Sequence, residues 1–171
     1  YHYAGILDSF RRAAAKMPRV DAIGVSSAGI YIDNEVRVAS LFIKVPQDLF
    51  DEKVRNMYIR AAKEIGDVPL TVANDGDVTA LAGALSLKDG RVLGIAMGTS
   101  EAVGYVNKDG NLNGWLSELA FVPVDYNKGA MVDEWSGDYG CGVKYFSQDS
   151  VIKLAGFAGI ELDENASPAE K

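Results

Sequence analysis

The chain is poor in the residues that most often carry chemistry. Among its 171 residues there is one histidine, His2, and one cysteine, Cys141. A single thiol cannot close an internal disulfide, which excludes a cross-linked secreted scaffold and makes the cytoplasm the expected compartment. The two residues together fall short of the four ligands of a structural zinc site, so no zinc is expected. With its one histidine at position 2, the interior also lacks the commonest general base, and catalysis falls to carboxylates, hydroxyls or a lysine. No apolar run approaches the ~20 residues that span a bilayer, so no membrane partner is expected. Positive charge is scarce as well: 17 Lys and Arg stand against 24 Asp and Glu, a net charge of −7, and the basic residues form no stripe. Nucleic acid is therefore a poor partner for this region.

An initiator methionine is missing too, and the chain opens directly on Tyr3, Ile6, Leu7, Phe10, Ala14 and Met17, an apolar stripe at helical spacing. The expectation is a piece of a longer protein. Its 48% hydrophobic content suffices for a globular core, in one domain or two small halves. Met17-Pro18 ends the first helix, and Ala22 to Ser26 reads as a buried strand. Ile30-Tyr31-Ile32 and Val36-Arg37-Val38 flank a polar turn and predict a hairpin. Phe50, Val54, Met57, Ala61 and Ile65 predict one amphipathic helix over 47–65, followed by a strand at Leu70-Thr71-Val72-Ala73. Asn74-Asp75-Gly76-Asp77 then leads into a helix whose small residues allow close packing on a sheet.

Lys88-Asp89-Gly90 is a turn and the expected boundary between a first α/β domain, 1–88, and the start of a second, 89–171. Val92 to Met97 and Ala102 to Val106 read as strands joined by Gly98-Thr99-Ser100-Glu101, and Lys108-Asp109-Gly110 as a hairpin turn. Leu119 to Val124 is a further strand candidate, helix returns at Ser150 to Phe157, and the acidic end from Glu161 reads as solvated.

Three places offer chemistry. Asp75, at the carboxyl end of a strand, is where open α/β sheets bind ligands, and can take a proton from an alcohol held in line with a phosphoryl donor. The plainer reading is a cap on the following helix. Gly98-Thr99-Ser100 offers backbone N–H groups and hydroxyls to an anion, or is an ordinary hairpin turn. Glu118, close in sequence to Trp115, suits polyol recognition, or is a surface carboxylate.

Their order and spacing resemble the ROK family of repressors, uncharacterised proteins and sugar kinases. Gly24-Val25-Ser26-Ser27-Ala28-Gly29 corresponds to the family's Gly-x-x-x-Pro-Gly segment, and Val72 to Gly83 to its Asn-Asp-Ala-Asn-Ala-Ala-Ala stretch. Leu93 to Thr99 is similar to the strand and Gly-Thr of the second phosphate loop, Val106 to Leu112 to the hairpin after it, and Gly114 to Val124 to the Gly-Glu-Ile-Gly-His segment that grips the sugar.

The resemblance implies the central portion of an actin-like/hexokinase (ribonuclease H-like) two-domain α/β fold with a substrate cleft between the domains. It implies phosphoryl transfer from ATP with Mg2+ to a sugar or related polyol, with Asp75 as catalytic base, Asn74 and Glu118 on the sugar, and Gly98 with Thr99 on the nucleotide phosphates. The small-molecule partners are then a sugar and a nucleotide, and a homodimer fits the same picture. The alternative within the fold is a sugar-sensing regulator without catalysis. Upstream of Tyr1, an Asp-Gly-Gly-Thr turn would mark the kinase and a helix-turn-helix the regulator. An unrelated doubly wound nucleotide-binding module would instead place parallel strands over 91–106.

This chain departs from the family pattern at named positions. Phe121 stands where the family has a histidine that is both sugar contact and zinc ligand, and Val143 where a second sugar-binding Glu would stand. Cys141 is what remains of a cysteine cluster. Glu101 enters the phosphate loop, where a carboxylate repels a triphosphate unless it turns away or meets a metal ion. Asp133, Glu134 and Asp138 are oxygen donors that would suit calcium, though a solvated acidic loop is the plainer reading. Apolar packing by Phe121, Trp135, Tyr139 and Tyr145 is expected to hold the 121–147 segment in place of a metal.

Overall fold

The computed structural model describes residues 1–115 and 117–162. Leu116, within the segment aligned to the sugar-gripping loop, and residues 163–171 of the acidic end lie outside the described residues. The chain divides into two compact units, Tyr1–Val78 and Thr79–Lys171. The division falls within a helix, and the turn expected as the domain boundary, Lys88-Asp89-Gly90, follows the end of that helix.

In the first unit, helix α1 (His2–Ala14) presents Tyr3, Ile6 and Phe10 to the core, as the stripe predicts, while Met17 lies beyond the helix end and is exposed. Strand β1 (Ile23–Ser26) pairs in parallel with β4 (Leu70–Ala73), with Ile23 opposite Leu70 and Ser26 opposite Ala73. The hairpin of β2 (Ile30–Ile32) and β3 (Glu35–Val38) forms at the expected place. Its two turn residues, Asp33 and Asn34, both take left-handed conformations at φ 55° and 65°, the geometry of a two-residue turn that matches strand twist. Asn34 does more than turn the chain. Its Nδ2 donates to the Leu70 carbonyl at 3.1 Å and its Oδ1 accepts the Val72 N–H at 2.8 Å, so one side chain bonds β4 as a neighbouring strand would.

The helix expected over 47–65 is broken. A short α-helical turn, α2 (Gln47–Leu49), runs into a wide π-helical turn over Phe50–Val54, closed by the Arg55 N–H on the Phe50 carbonyl at 2.9 Å. Helix α3 (Met57–Lys63) restarts after Asn56. The break has a tertiary partner: the Arg55 carbonyl accepts the Val36 N–H of β3 at 2.9 Å. Around it Val36, Phe42, Phe50, Val54, Met57, Tyr58 and Val72 form the core of this unit.

Helix α4 (Asp75–Leu87) leads into the second unit, where Ala80 and Ala84 are buried beside Val106. Strands β5 (Val92–Met97) and β6 (Glu101–Val106) are antiparallel, in register from Val92 opposite Val106 to Met97 opposite Glu101, which excludes the doubly wound alternative. A Cβ added at Gly94 would stand 2.5 Å from the Ala80 Cα, so helix and strand touch backbone to backbone as the small residues predict. Asn107 orders the next turn, its Oδ1 accepting the N–H groups of Asp109 and Asn111 at 2.9 and 3.0 Å.

Leu119 to Val124 does not form the expected strand. Leu119–Phe121 is a 3-10 turn, and only Pro123 bridges across, to Cys141. Proline lacks the donor a ladder needs, and the N–H groups of Val124 and Asp125 both turn to the single carbonyl of Gly140, at 2.7 and 3.2 Å. Helix α5 (Gln148–Phe157) starts two residues earlier than expected because Ser147 caps it, its Oγ accepting the Asp149 N–H at 3.3 Å. Among the described residues no helix is long and apolar enough to cross a membrane.

Candidate functional site

At the carboxyl end of the β1–β4 pair, three successive loop residues are tied down. The Ser27 N–H continues the ladder to the Ala73 carbonyl at 3.1 Å, the Tyr31 hydroxyl donates to the Ala28 carbonyl at 2.9 Å, and Asn74 Nδ2 donates to the Gly29 carbonyl at 2.9 Å. Gly29 holds a φ of 130°, and a Cβ there would lie 2.6 Å from the Val38 carbonyl oxygen, so only glycine fits. Asn74 also caps α4: its Oδ1 accepts the Gly76 N–H at 2.7 Å, and its carbonyl accepts the Val78 N–H at 3.0 Å.

The capping role that the plainer reading gave to Asp75 thus belongs to Asn74. Asp75 is the first residue of α4 and half-buried. Its carboxylate lies close enough to Tyr31 to be one of the causes that push that hydroxyl up to about 12, after burial, the dominant cause, and interactions with Tyr58. Tyr31 and Tyr58 pack edge to face with ring centres 5.9 Å apart, and the Tyr58 hydroxyl donates to Ser27 Oγ at 3.1 Å. Neither tyrosine stood out in the sequence, since each reads as a core aromatic. A carboxylate at the first position of a helix is favoured by the helix dipole. Burial raises the carboxyl of Asp77 in the same turn.

The second unit holds the other candidates. Gly98, Thr99 and Ser100 connect β5 to β6, with Thr99 and Ser100 exposed. The turn is fixed from both sides of Gly98: its N–H donates to the Ser100 carbonyl at 3.0 Å and its carbonyl accepts the Gln148 N–H, the first of α5, at 2.9 Å. Glu118 is exposed and lies just before the Leu119–Phe121 turn. Asn74 and Asp75 are therefore adjacent in the first unit, and Gly98, Thr99 and Glu118 belong to the second.

Glu101 opens β6 instead of extending the turn. Its side chain is buried at 7% exposure, and Oε2 has no hydrogen-bond partner. A Cβ added at Gly142 would fall 2.6 Å from that oxygen, so the carboxylate faces Gly142, and burial raises its pKa. The surface of the turn is left to the Thr99 and Ser100 hydroxyls and backbone, which suits an anion.

The segment beyond Phe121 is held differently from expectation. Phe121 stacks on Trp135 with ring centres 5.3 Å apart, but Tyr139 is largely exposed and Tyr145 works through its hydroxyl. That hydroxyl donates to Asp125 Oδ2 at 2.5 Å and accepts the Met131 N–H at 3.0 Å, a polar clasp joining three stretches of loop. Burial, then the Asp125 carboxylate, raise the Tyr145 hydroxyl, and the same bond, with the Asn127 N–H, lowers Asp125. Cys141 is buried, which raises its thiol ahead of the nearby Asp138 and Asp133. Asp133, Glu134 and Asp138 do not converge as a calcium site. Asp133 Oδ2 accepts the Ser136 N–H at 2.8 Å and Glu134 pairs with Lys144, and among the described residues no three His, Cys, Asp or Glu gather to hold a metal.

Parallel β1–β4 strands delivering a capped acidic turn, followed by an antiparallel pair with a Gly-Thr connection, define an α/β fold of the actin-like/hexokinase type. The chain shares this fold with ROK proteins of known structure. It matches a ROK family transcriptional regulator, a homolog of the E. coli MLC protein, at TM-score 0.65 and 20% identity, over 98% of this chain and 43% of that one. It matches the ROK hexokinase from Thermus thermophilus at TM-score 0.64 and 16% identity, over 94% of this chain and 52% of that one. The chain thus spans about half the length of the structures it matches. No protein-family model and no curated protein matches the sequence.

Proposed function

We propose that the full-length protein is a ROK-type carbohydrate kinase, transferring a phosphoryl group from ATP to a hydroxyl of a sugar or related polyol. The observation that carries this reading is Asp75: a half-buried carboxylate at the first position of α4, two residues past the end of a parallel strand. Asp75 takes the proton of the attacking hydroxyl. Beyond its bonds to Gly29 and Gly76, the Asn74 amide has a second N–H and a second oxygen lone pair with which to orient the polyol, and Glu118 binds a second hydroxyl. The Gly98–Thr99 turn holds the nucleotide phosphates through N–H and hydroxyl donors. Mg2+ bound with the nucleotide would supply charge compensation at the phosphates.

A second reading, a sugar-responsive regulator without chemistry, draws on Phe121 and Val143, which remove two of the family's sugar contacts, and on the regulator among the matched structures. One experiment separates the two. In the full-length protein, Asp75→Asn is expected to keep the fold and much of the sugar affinity while turnover drops ~10²-fold or more, the scale of a lost general base. Turnover that survives the substitution refutes the assignment of Asp75. Sugar binding with no wild-type turnover of ATP selects the regulator.

A further inference from the structure

Lys144 is a lysine in an unusual place. Its side chain is only 11% exposed, at the end of a 3-10 turn over Gly142–Lys144, yet its ammonium meets two carboxylates. It donates to Asp149 Oδ2 at 2.5 Å and to Glu134 Oε2 at 2.7 Å. Asp149 is in the first turn of α5, where its N–H is bonded to the capping hydroxyl of Ser147. One residue earlier, the Gln148 N–H donates to the Gly98 carbonyl at 2.9 Å. The Ser150 hydroxyl completes the turn by donating to the Ser147 carbonyl at 2.8 Å.

These bonds form a continuous path from the exposed carboxylate of Glu134 through Lys144 and the start of α5 to the connection between β5 and β6. The carboxylates reach water but the ammonium does not, so removing its partners would leave a largely buried cation without compensation, which ties the pair's geometry more firmly than a bridge between two exposed groups. An anion cradle made of N–H groups binds well only when those groups are already aimed before the anion arrives. The Gly98 N–H on the Ser100 carbonyl closes the three-residue connection from within, and α5 supplies the anchor from outside.

We infer that Lys144 is a positioning residue for the phosphate-binding turn: it fixes the first turn of α5, whose leading N–H holds the Gly98 carbonyl. The inference rests on the kinase reading for the identity of the bound anion, but the tether itself does not. Lys144 touches neither nucleotide nor sugar; it acts through Asp149, Gln148 and Gly98.

The test uses the full-length protein, with Mg-ADP as the probe, titrated into wild type, Lys144→Met and Lys144→Arg, alongside hydrogen exchange of the Gln148 amide. Lys144→Met is expected to weaken Mg-ADP about tenfold, the effect of one lost charge-assisted hydrogen bond. It should raise the KM for ATP with kcat and sugar affinity little changed, and speed Gln148 exchange relative to the amides of β5. Lys144→Arg, which keeps the cation and both acceptors, is expected to restore most of the affinity. Should Lys144→Met fold poorly, Asp149→Asn cuts the same path at its next member and should give the same pattern. Gln148 exchange unchanged in a folded variant overturns the inference, as does faster exchange with undiminished Mg-ADP affinity. Wild type that binds no Mg-ADP overturns the kinase reading instead, and the exchange measurement then judges the tether alone.

Discussion

Glu101 gives the sharpest test of the packing described for the second unit. The perturbation is Glu101→Gln, a change of about one atom's chemistry with the shape retained. In the wild type the carboxyl is buried at 7% exposure and Oε2 meets no donor, so its ionised form sits without compensation. Burial raises its pKa above the ordinary carboxyl value. For a group whose folded-state pKa lies above its unfolded value, the associated stability is fully present below the unfolded pKa and is lost as pH rises through the folded one. The penalty is therefore nearly absent near pH 4 and grows as pH rises through the raised value. An unsatisfied buried polar group costs about 1–3 kcal/mol, and glutamine removes the charged part of it. Glu101→Gln is expected to gain about 1 kcal/mol at pH 8, a rise in Tm of about 4–8 °C for a unit of this size, and nothing near pH 4. Circular dichroism melts of both proteins at the two pH values supply the comparison. A Tm difference of equal size at both, or a loss at pH 8, refutes the reasoning.

Two further outcomes follow from the first unit. Asn34→Ala removes both bonds to β4 and places a Cβ residue with no local polar group at a positive φ, so urea unfolding should show a loss of about 2–3 kcal/mol, of which Asn34→Gly recovers only the backbone part. Tyr31, raised to about 12 chiefly by burial, binds its proton more tightly in the fold than in the unfolded chain, so wild-type stability should fall between pH ~10 and ~12; in Tyr31→Phe that fall should be shallower by alkaline unfolding monitored with urea.

Much of the architecture is legible in the residues themselves. Leu70-Thr71-Val72-Ala73, the acidic turn and the small-residue helix after it announce a strand delivering a carboxylate to the start of a helix, because period, turn chemistry and side-chain size agree there. The hairpin at Asp33-Asn34 is equally plain. What escapes local reading is set by distant partners. Asn74 takes the cap because the Gly29 carbonyl, 45 residues away, holds its other end. The helix over 47–65 breaks because Val36 takes the Arg55 carbonyl. Leu119 to Val124 has the composition of a strand but finds no ladder beside it. Glu101 is visible as an anomaly in a glycine-rich connection, and only the fold tells that it turns inward.

The wide turn at Phe50–Val54 makes this stretch of chain sensitive to length in a way the exposed charges of Asp51, Glu52 and Lys53 conceal. A π-helical turn holds one residue more than an α-helix would use over the same rise, and each residue of an α-helix advances about 100° around the axis. Deleting any one residue between Phe50 and Val54 would allow a more regular helix. It would also swing Met57, Tyr58, Ala61 and Ala62, all buried, through that angle relative to what precedes them. The residues that face Val36 would then face solvent, and Tyr58 would leave Ser27 and Tyr31 beside the acidic turn. The local irregularity is thus the spacer that brings a tyrosine from a distant helix to Ser27 and Tyr31, and losing it would improve the helix while dismantling what the helix delivers.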